Sequence, residues 1–187
     1  MISSAREQAV QEALRILQQN PIYLDTETTG LGLDDEIIEI ALLDDNENIL
    51  FQSFVRPSQP IPPGTTAIHG ITNDMVQNAP PWPIVWQNVR NIVRDRSIAI
   101  YNADFDIRMM KQSMTRYRQP WKETLSTVCI MRLYAAYRGE WDSRRMTYRF
   151  ISLEQAGKQC GIPLPNAHRA IADTILARAL LHYIAEL

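Results

Sequence analysis

The run Ile22-Tyr23-Leu24-Asp25-Thr26-Glu27 decides the fold. It is short, rich in β-branched and aromatic residues and preceded by the stop signal Asn20-Pro21, so residues 22 to 26 read as a strand. Two more such runs follow closely, Glu36 to Leu43 and Ile49 to Val55, with Gly30-Leu31-Gly32-Leu33-Asp34-Asp35 and Asp44 to Asn48 between them. Spacing this tight leaves room only for turns, which makes the three runs an antiparallel meander. A fourth strand, Ser97 to Tyr101, leads into a helical stretch from Phe105 to Arg116, and a short strand around Thr127 to Ile130 follows. A meander continued by strand–helix units gives an α/β fold: a mixed central sheet, three antiparallel strands plus parallel ones, flanked by helices.

Outside that sheet, residues 4 to 19 read as a helix, because Val10, Ala13, Leu14 and Leu17 recur at helical spacing behind a Ser4/Glu7 capping box. Further helices are expected at Ile84 to Arg94, at Ser152 to Cys160 with a Ser-x-x-Gln box and Gly161 as stop, and at Arg169 to Ala185. The proline-rich stretches Pro57 to Pro63 and Ala79 to Pro83 read as loop punctuation rather than domain linkers.

At 187 residues, 45% apolar and 21% charged, the chain has the size and composition of one domain with a sizeable core. We expect that domain to cover residues 1 to 187, an N-terminal helix in 1–20 preceding a core in 21–187. A net charge of -2 and a pI near 5.9 exclude a broad basic surface, so any nucleic-acid contact must be local. The start carries no secretory signal and no run approaches the ~20 apolar residues of a membrane span, which points to the cytoplasm. Cys129 and Cys160 are too far apart for a CxxC motif and read as small buried hydrophobes.

Side chains alternate along a strand, so Asp25 and Glu27 share one face. Like charges held that closely persist when a cation neutralises them or one is protonated, and hard oxygen donors suit Mg²⁺ or Mn²⁺. Asp25-x-Glu27-x-Thr29-Gly30 with Glu36 at the twelfth position also imitates a calcium-binding EF-hand loop, which would make the chain a calcium-binding regulator. An EF-hand needs a helix on each side, and both flanks here read as strands.

From residue 21 to 185 the chain resembles the DEDDh 3′–5′ exonucleases, of the polymerase-proofreading-subunit, RNase T and oligoribonuclease type, on an RNase H-like fold. The resemblance rests on Asp25-Thr26-Glu27-Thr28-Thr29-Gly30-Leu31, Asn102-Ala103-Asp104-Phe105-Asp106 and His168-Arg169-Ala170-Ile171-Ala172-Asp173, with Ala67-Ile68-His69-Gly70-Ile71-Thr72 as a further shared loop. It implies two divalent cations held by Asp25, Glu27, Asp106 and Asp173, with His168 as general base and nucleoside 5′-monophosphates as products. It places Thr28, Leu31, His69, Asn102 and Phe105 around the terminal nucleotide, His69 shaping a turn rather than binding metal, and selects Asp106 over Asp104. The substrate it implies is a nucleic-acid 3′ end, single-stranded DNA first and RNA as the alternative, in proofreading or repair, with a DNA polymerase among the partners open to it.

His168 and Asp173 are five residues apart, about 140° around the axis of a continuous helix. To face one site, His168 must lie in the turn entering the last helix and Asp173 inside it. The chain departs from the family pattern at Tyr101, where many relatives carry histidine, and at Val128-Cys129, where Asp-Thr is common. Arg138 to Phe150, with four arginines near Trp141 and Tyr148, reads as an inserted basic loop able to grip phosphate and stack bases, or as a solvated surface. A chain ending soon after the third motif favours a free-standing nuclease. A catalytically silent module binding nucleic-acid ends or a polymerase is the rival, and the five retained side chains argue against it.

Overall fold

The computed structural model describes residues 4–163 and 168–186. Its centre is a five-stranded sheet of β1 (Ile22–Thr28), β2 (Ile37–Leu43), β3 (Ile49–Phe54), β4 (Ser97–Ile100) and β5 (Ser126–Cys129), in the order β3-β2-β1-β4-β5. The meander pairs antiparallel, β1 with β2 and β2 with β3, whereas β4 runs parallel to both β1 and β5.

Helices cover both faces, and alternation along β1 assigns each face its core. Ile22 and Leu24 pack with Trp82, Val85, Val89, Met109 and Met110, from α4 (Trp82–Val93) and α5 (Ala103–Arg116). Tyr23 points the other way, into a cluster with Ala13 and Ile16 of α1 (Ala5–Leu17), Tyr134 of α6 (Ile130–Arg138), Ala156 of α7 (Leu153–Cys160) and Leu180 of α8 (Ala170–Ile184). Asp25 and Glu27 follow the parity of Tyr23 and therefore lie on the α8 side of the sheet. Both capping boxes expected from sequence form, at Ser4 with Glu7 and at Ser152 with Gln155.

The proline-rich stretch is more ordered than sequence suggests. Pro63 opens a short helix, α2 (Pro63–His69), and α3 (Asn73–Val76) follows. Proline is well suited to a first helical turn, because the N–H it lacks would have no partner there. The segment after β5 forms α6, and the basic stretch beyond Arg138 forms a small hairpin, β6 (Trp141–Asp142) with β7 (Thr147–Tyr148), rather than an open loop. Among the described residues no helix is long and apolar enough to cross a membrane.

Candidate active site

The end of β4 lies beside the first half of β1, and the acidic residues gather where β1 runs on past it. Carboxylate oxygens of Asp25, Glu27 and Asp173 lie within 4.8 Å of one another, each group half-buried. Asp106, in the first turn of α5, is buried and accepts a hydrogen bond from the Thr26 hydroxyl at 2.7 Å. Thr26 and Asp25 are neighbours on β1 that point to opposite faces, so the strand end presents one side chain to α5 and the next to α8.

Little compensates this charge. Among the described residues no cation pairs with Asp25, Glu27, Asp106 or Asp173. Burial and then the repulsion of Asp106, Asp173, Glu27 and Glu39 push the Asp25 carboxyl well above the usual carboxylate range. Burial, then Asp173, Glu39 and Asp106, push Glu27 up to about 8. Asp106 is pushed up to about 7 by burial, against the pull of its Thr26 hydrogen bond. Burial also raises Asp173, while the His168 charge and backbone hold it down.

At neutral pH the unliganded cluster thus retains protons that a cation would displace. An all-carboxylate, half-buried donor set of this kind fits a hard divalent cation.

His168 is exposed, takes a positive φ of 67° and stands two residues before α8, with Arg169 as the helix N-cap and Asp173 in the first turn. The extended backbone of Arg169, φ -136° and ψ 128°, sets His168 outside the helix, so the angular separation of a continuous helix does not apply to the two side chains. His69 is buried at the end of α2, its Nδ1 accepting the Ile71 N–H at 3.0 Å. That bond leaves the proton on Nε2, which is buried and faces the Thr28 backbone, and burial lowers the His69 pKa against the pull of that backbone.

The loop after β1 is set by Asp35. Its carboxylate accepts from the Thr29 hydroxyl and the Gly32 N–H, both at 2.7 Å, and sits so close beneath Gly30 that a Cβ there would meet Oδ2 at 2.6 Å. Only glycine leaves room for that carboxylate. Thr28 is buried and donates its hydroxyl to the Gly30 carbonyl at 2.8 Å, whereas Leu31 stands out into solvent, 79% exposed. Arg108 and Gln112 of α5 hold the loop through the Leu31 and Gly32 carbonyls. Asn102 is the α5 N-cap at a φ of 65°, and half-buried Phe105 lies under the Arg108 guanidinium.

The EF-hand alternative does not fit this geometry. Strands flank the loop, and Glu36 turns away to accept from the Ser58 N–H and hydroxyl at 2.9 and 2.6 Å. Asp104 is exposed and pairs with Arg132, as suits an acid at a helix start. Cys129 and Cys160 are free but only half-buried, against the expectation of full burial, and the Cys160 thiol reaches the Tyr134 hydroxyl at 3.3 Å.

Two acids near the site, Asp35 in the loop and Glu39 on β2, escaped the sequence reading. Glu39 is 1% exposed, directly opposite Glu27, and accepts from Arg169 Nη2 at 2.7 Å, Arg169 Nε at 3.1 Å and the Ala170 N–H at 3.1 Å. It ties the start of α8 to the sheet. A lone acid within the apolar run Ile37-Ile38-Glu39-Ile40-Ala41-Leu42-Leu43 was the available signal.

The RNase T exonuclease family model matches residues 22–181. The uncharacterized exonuclease CP81 of Escherichia phage 186 is 37% identical over 182 residues, 94% of this chain and 93% of the phage protein. The 3′–5′ exonuclease DinG of Staphylococcus haemolyticus is 29% identical over 164 residues, and the match spans 84% of this chain but only 17% of DinG. Among solved structures, exonuclease X in complex with 5′-overhanging duplex DNA superposes with a TM-score of 0.64 at 28% identity, covering 88% of this chain and 90% of that one.

Proposed function

We propose that this chain, which belongs to the RNase T exonuclease family and carries the DEDDh set on an RNase H-like fold, removes nucleotides from a nucleic-acid 3′ end by two-cation hydrolysis. The observation that carries the reading is the convergence of Asp25, Glu27 and Asp173 within 4.8 Å, beside buried Asp106 and, among the described residues, without a salt-bridge partner. Four acids without a salt-bridge partner among the described residues, eased only by the more distant charges of Arg169 and His168, are a cost to the fold that cation binding relieves.

Asp25, whose carboxyl all three others repel, would hold both of two Mg²⁺ or Mn²⁺ ions, with Glu27 and Asp173 holding one of them and Asp106 the other. When bound, such ions supply positive charge to the attacking and leaving oxygens of an in-line displacement. His168 accepts the proton of the attacking water, a role open to an exposed imidazole whose charge bears on Asp173. Thr28, Leu31, His69, Asn102 and Phe105 surround the terminal nucleotide. The His69 Nε2–H is a donor, and exposed Leu31 is an apolar surface for a base.

Single-stranded DNA is the substrate we favour, RNA being the alternative, and nucleoside 5′-monophosphates are the products. The 3′ direction draws support from DinG, named a 3′–5′ exonuclease, and DNA from exonuclease X, solved in complex with 5′-overhanging duplex DNA. The test uses parallel strands labelled at either end. With Mg²⁺ or Mn²⁺, a 3′ label leaves at once as mononucleotide while a 5′ label yields a descending ladder; EDTA stops both, and His168→Ala slows release about 10²–10⁴-fold. No release by the wild type with either cation leaves only a nucleic-acid-binding module.

A further inference from the structure

The β6–β7 hairpin takes no part in the chemistry above, yet its surface is unlike the rest of this acidic chain. Residues 138–150 hold four arginines against two acids. Both acids are engaged: Glu140 pairs with Arg138, and Asp142 accepts the backbone N–H groups of Arg144 and Arg145 at 3.0 and 3.2 Å, which fixes the hairpin tip. Arg144, Arg145 and Arg149 are exposed, and among the described residues none of their guanidinium groups has a carboxylate partner. Large apolar side chains are interleaved with them in solvent, Trp141 at 53%, Met146 at 73% and Phe150 at 40% exposure.

The hairpin is built rather than loose. Trp141 packs edge-on against Tyr148 with ring centroids 5.3 Å apart, and the Arg149 N–H donates to the Glu140 carbonyl at 2.8 Å. It also borders the site. Ile151, next to Phe150, accepts the Tyr101 hydroxyl at 2.8 Å, and Tyr101 immediately precedes Asn102, the cap of the helix that bears Asp106. Further along, α7 packs through Ala156 in one cluster with Ala177 and Leu180 of α8, the helix that bears Asp173. The chain therefore runs from the basic hairpin past the edge of the acidic cluster.

We propose that the β6–β7 hairpin is the docking surface for the substrate strand behind its terminal nucleotides, with Arg144, Arg145 and Arg149 on phosphates and Trp141 and Phe150 stacked on unpaired bases. The proposal rests on the exonuclease reading and deepens it. Guanidinium groups alone would suit any polyanion; exposed rings set between them suit a single strand, whose bases offer faces to stack on. An acidic site also needs such a device, since the carboxylates repel the phosphates that must approach them.

Binding is measured without divalent cation, by fluorescence anisotropy on DNA and RNA strands of about 15 nucleotides, long enough to pass from the site across the hairpin. In the triple variant Arg144→Gln/Arg145→Gln/Arg149→Gln, Kd rises about tenfold or more, and the slope of log affinity against log salt falls by about 2, at ~0.7 for each phosphate of a single strand that is no longer neutralised. Phe150→Ala, which spares the Trp141–Tyr148 pair, weakens binding about fivefold with the salt slope unchanged. In Mg²⁺ the wild type gains kcat/KM with strand length from a dinucleotide upward, and the triple variant flattens that gain.

An unchanged salt slope in the triple variant, or an equal drop in its kcat/KM at every strand length, overturns the proposal. Circular dichroism verifies that both variants are folded. If no strand of any length is cut by the wild type, the exonuclease reading fails, while the anisotropy series still decides whether the hairpin holds a strand.

Discussion

Glu27 and Glu39 stand opposite each other on β1 and β2, yet they live in different electrostatic worlds. Glu39 is buried and fully engaged, accepting two hydrogen bonds from the Arg169 guanidinium and a third from the Ala170 N–H. Glu27, its cross-strand neighbour, accepts no hydrogen bond among the described residues and is pushed up to about 8 by burial and by the surrounding acids. An acid with a built-in countercharge holds the fold together. One left to repel its neighbours opposes the fold and is available to a ligand. The contrast separates structural carboxylates from ligand carboxylates on physical grounds, and substitutions on its two sides should act in opposite directions.

The largest effect is expected at Asp25. Asp25→Asn keeps the shape but removes the charge most repelled by the cluster. Nucleotide release in Mg²⁺ falls on the order of 10³-fold, the scale for removing one preorganised electrostatic interaction at a reacting centre. In EDTA at pH 8 the same variant melts about 3 °C or more above the wild type, because ~1 kcal/mol of relieved repulsion is worth a few degrees in a domain of this size. A variant in which activity and stability fall together would put Asp25 on the structural side with Glu39.

Next comes the pH response of the metal-free protein. Glu27 and Asp106, at about 8 and about 7, bind protons more tightly in the folded chain than in the unfolded one. Stability contributed by their protonation is therefore fully present below about pH 4, near the ordinary carboxylate values, and is lost as pH rises through 7 to 8. The melting temperature in EDTA should fall between pH 5 and pH 8. Mg²⁺ displaces those protons, so the rise in melting temperature it causes should grow across the same interval, by about 5 °C. A Mg²⁺ effect equal at pH 5 and pH 8 would mean that the cluster is not where the cation binds.

Much of this was legible in the sequence because it depends on short-range periodicity. Period two puts Asp25 and Glu27 on one face, and the five-residue step from His168 to Asp173 demands a break that the extended backbone of Arg169 supplies. What escaped depends on pairing between distant segments. Glu39 meets Glu27 only through strand register, and Arg169 reaches Glu39 across 130 residues. The helix α6 was open to detection, since Ile130, Tyr134 and Tyr137 recur at helical spacing, but the strand directly before it blurred the change of period. In α2 the prolines that argued for a loop were in fact at a helix start, where the conformation they impose is the one required. Pairing segments of two residues, as in the β6–β7 hairpin, are too short to show any period at all.

A smaller effect, of opposite sign to that at Asp25, is expected at Glu39. Glu39→Gln leaves Arg169 without its anion while keeping an oxygen for the Ala170 N–H. Breaking a buried pair of this kind costs about 3 kcal/mol or more, and with Arg169 34% exposed at its side chain we expect about 2. The urea midpoint should fall accordingly, in EDTA and in Mg²⁺ alike, since the cation plays no part in that pair. A Glu39→Gln protein stabilised in EDTA would erase the distinction between the two acids.

The finest test is at Thr26, where the two behaviours meet in one residue. Its hydroxyl donates to Asp106 at 2.7 Å, the one side-chain hydrogen bond made to any of the four clustered acids among the described residues, and that bond pulls Asp106 downward against burial. Thr26→Val preserves volume and strand preference but removes the donor. Asp106 then holds its proton to higher pH, and a cation must displace it at greater cost. The Mg²⁺ concentration for half-maximal activity should rise about tenfold, the scale for removing an orienting bond behind a metal ligand. The shift should be larger at pH 6.5 than at pH 8.5, where less of Asp106 is protonated in either protein. A Mg²⁺ requirement displaced equally at both pH values would show that Thr26 acts on the position of Asp106 and not on its proton, and would place that acid closer to the structural side of the comparison.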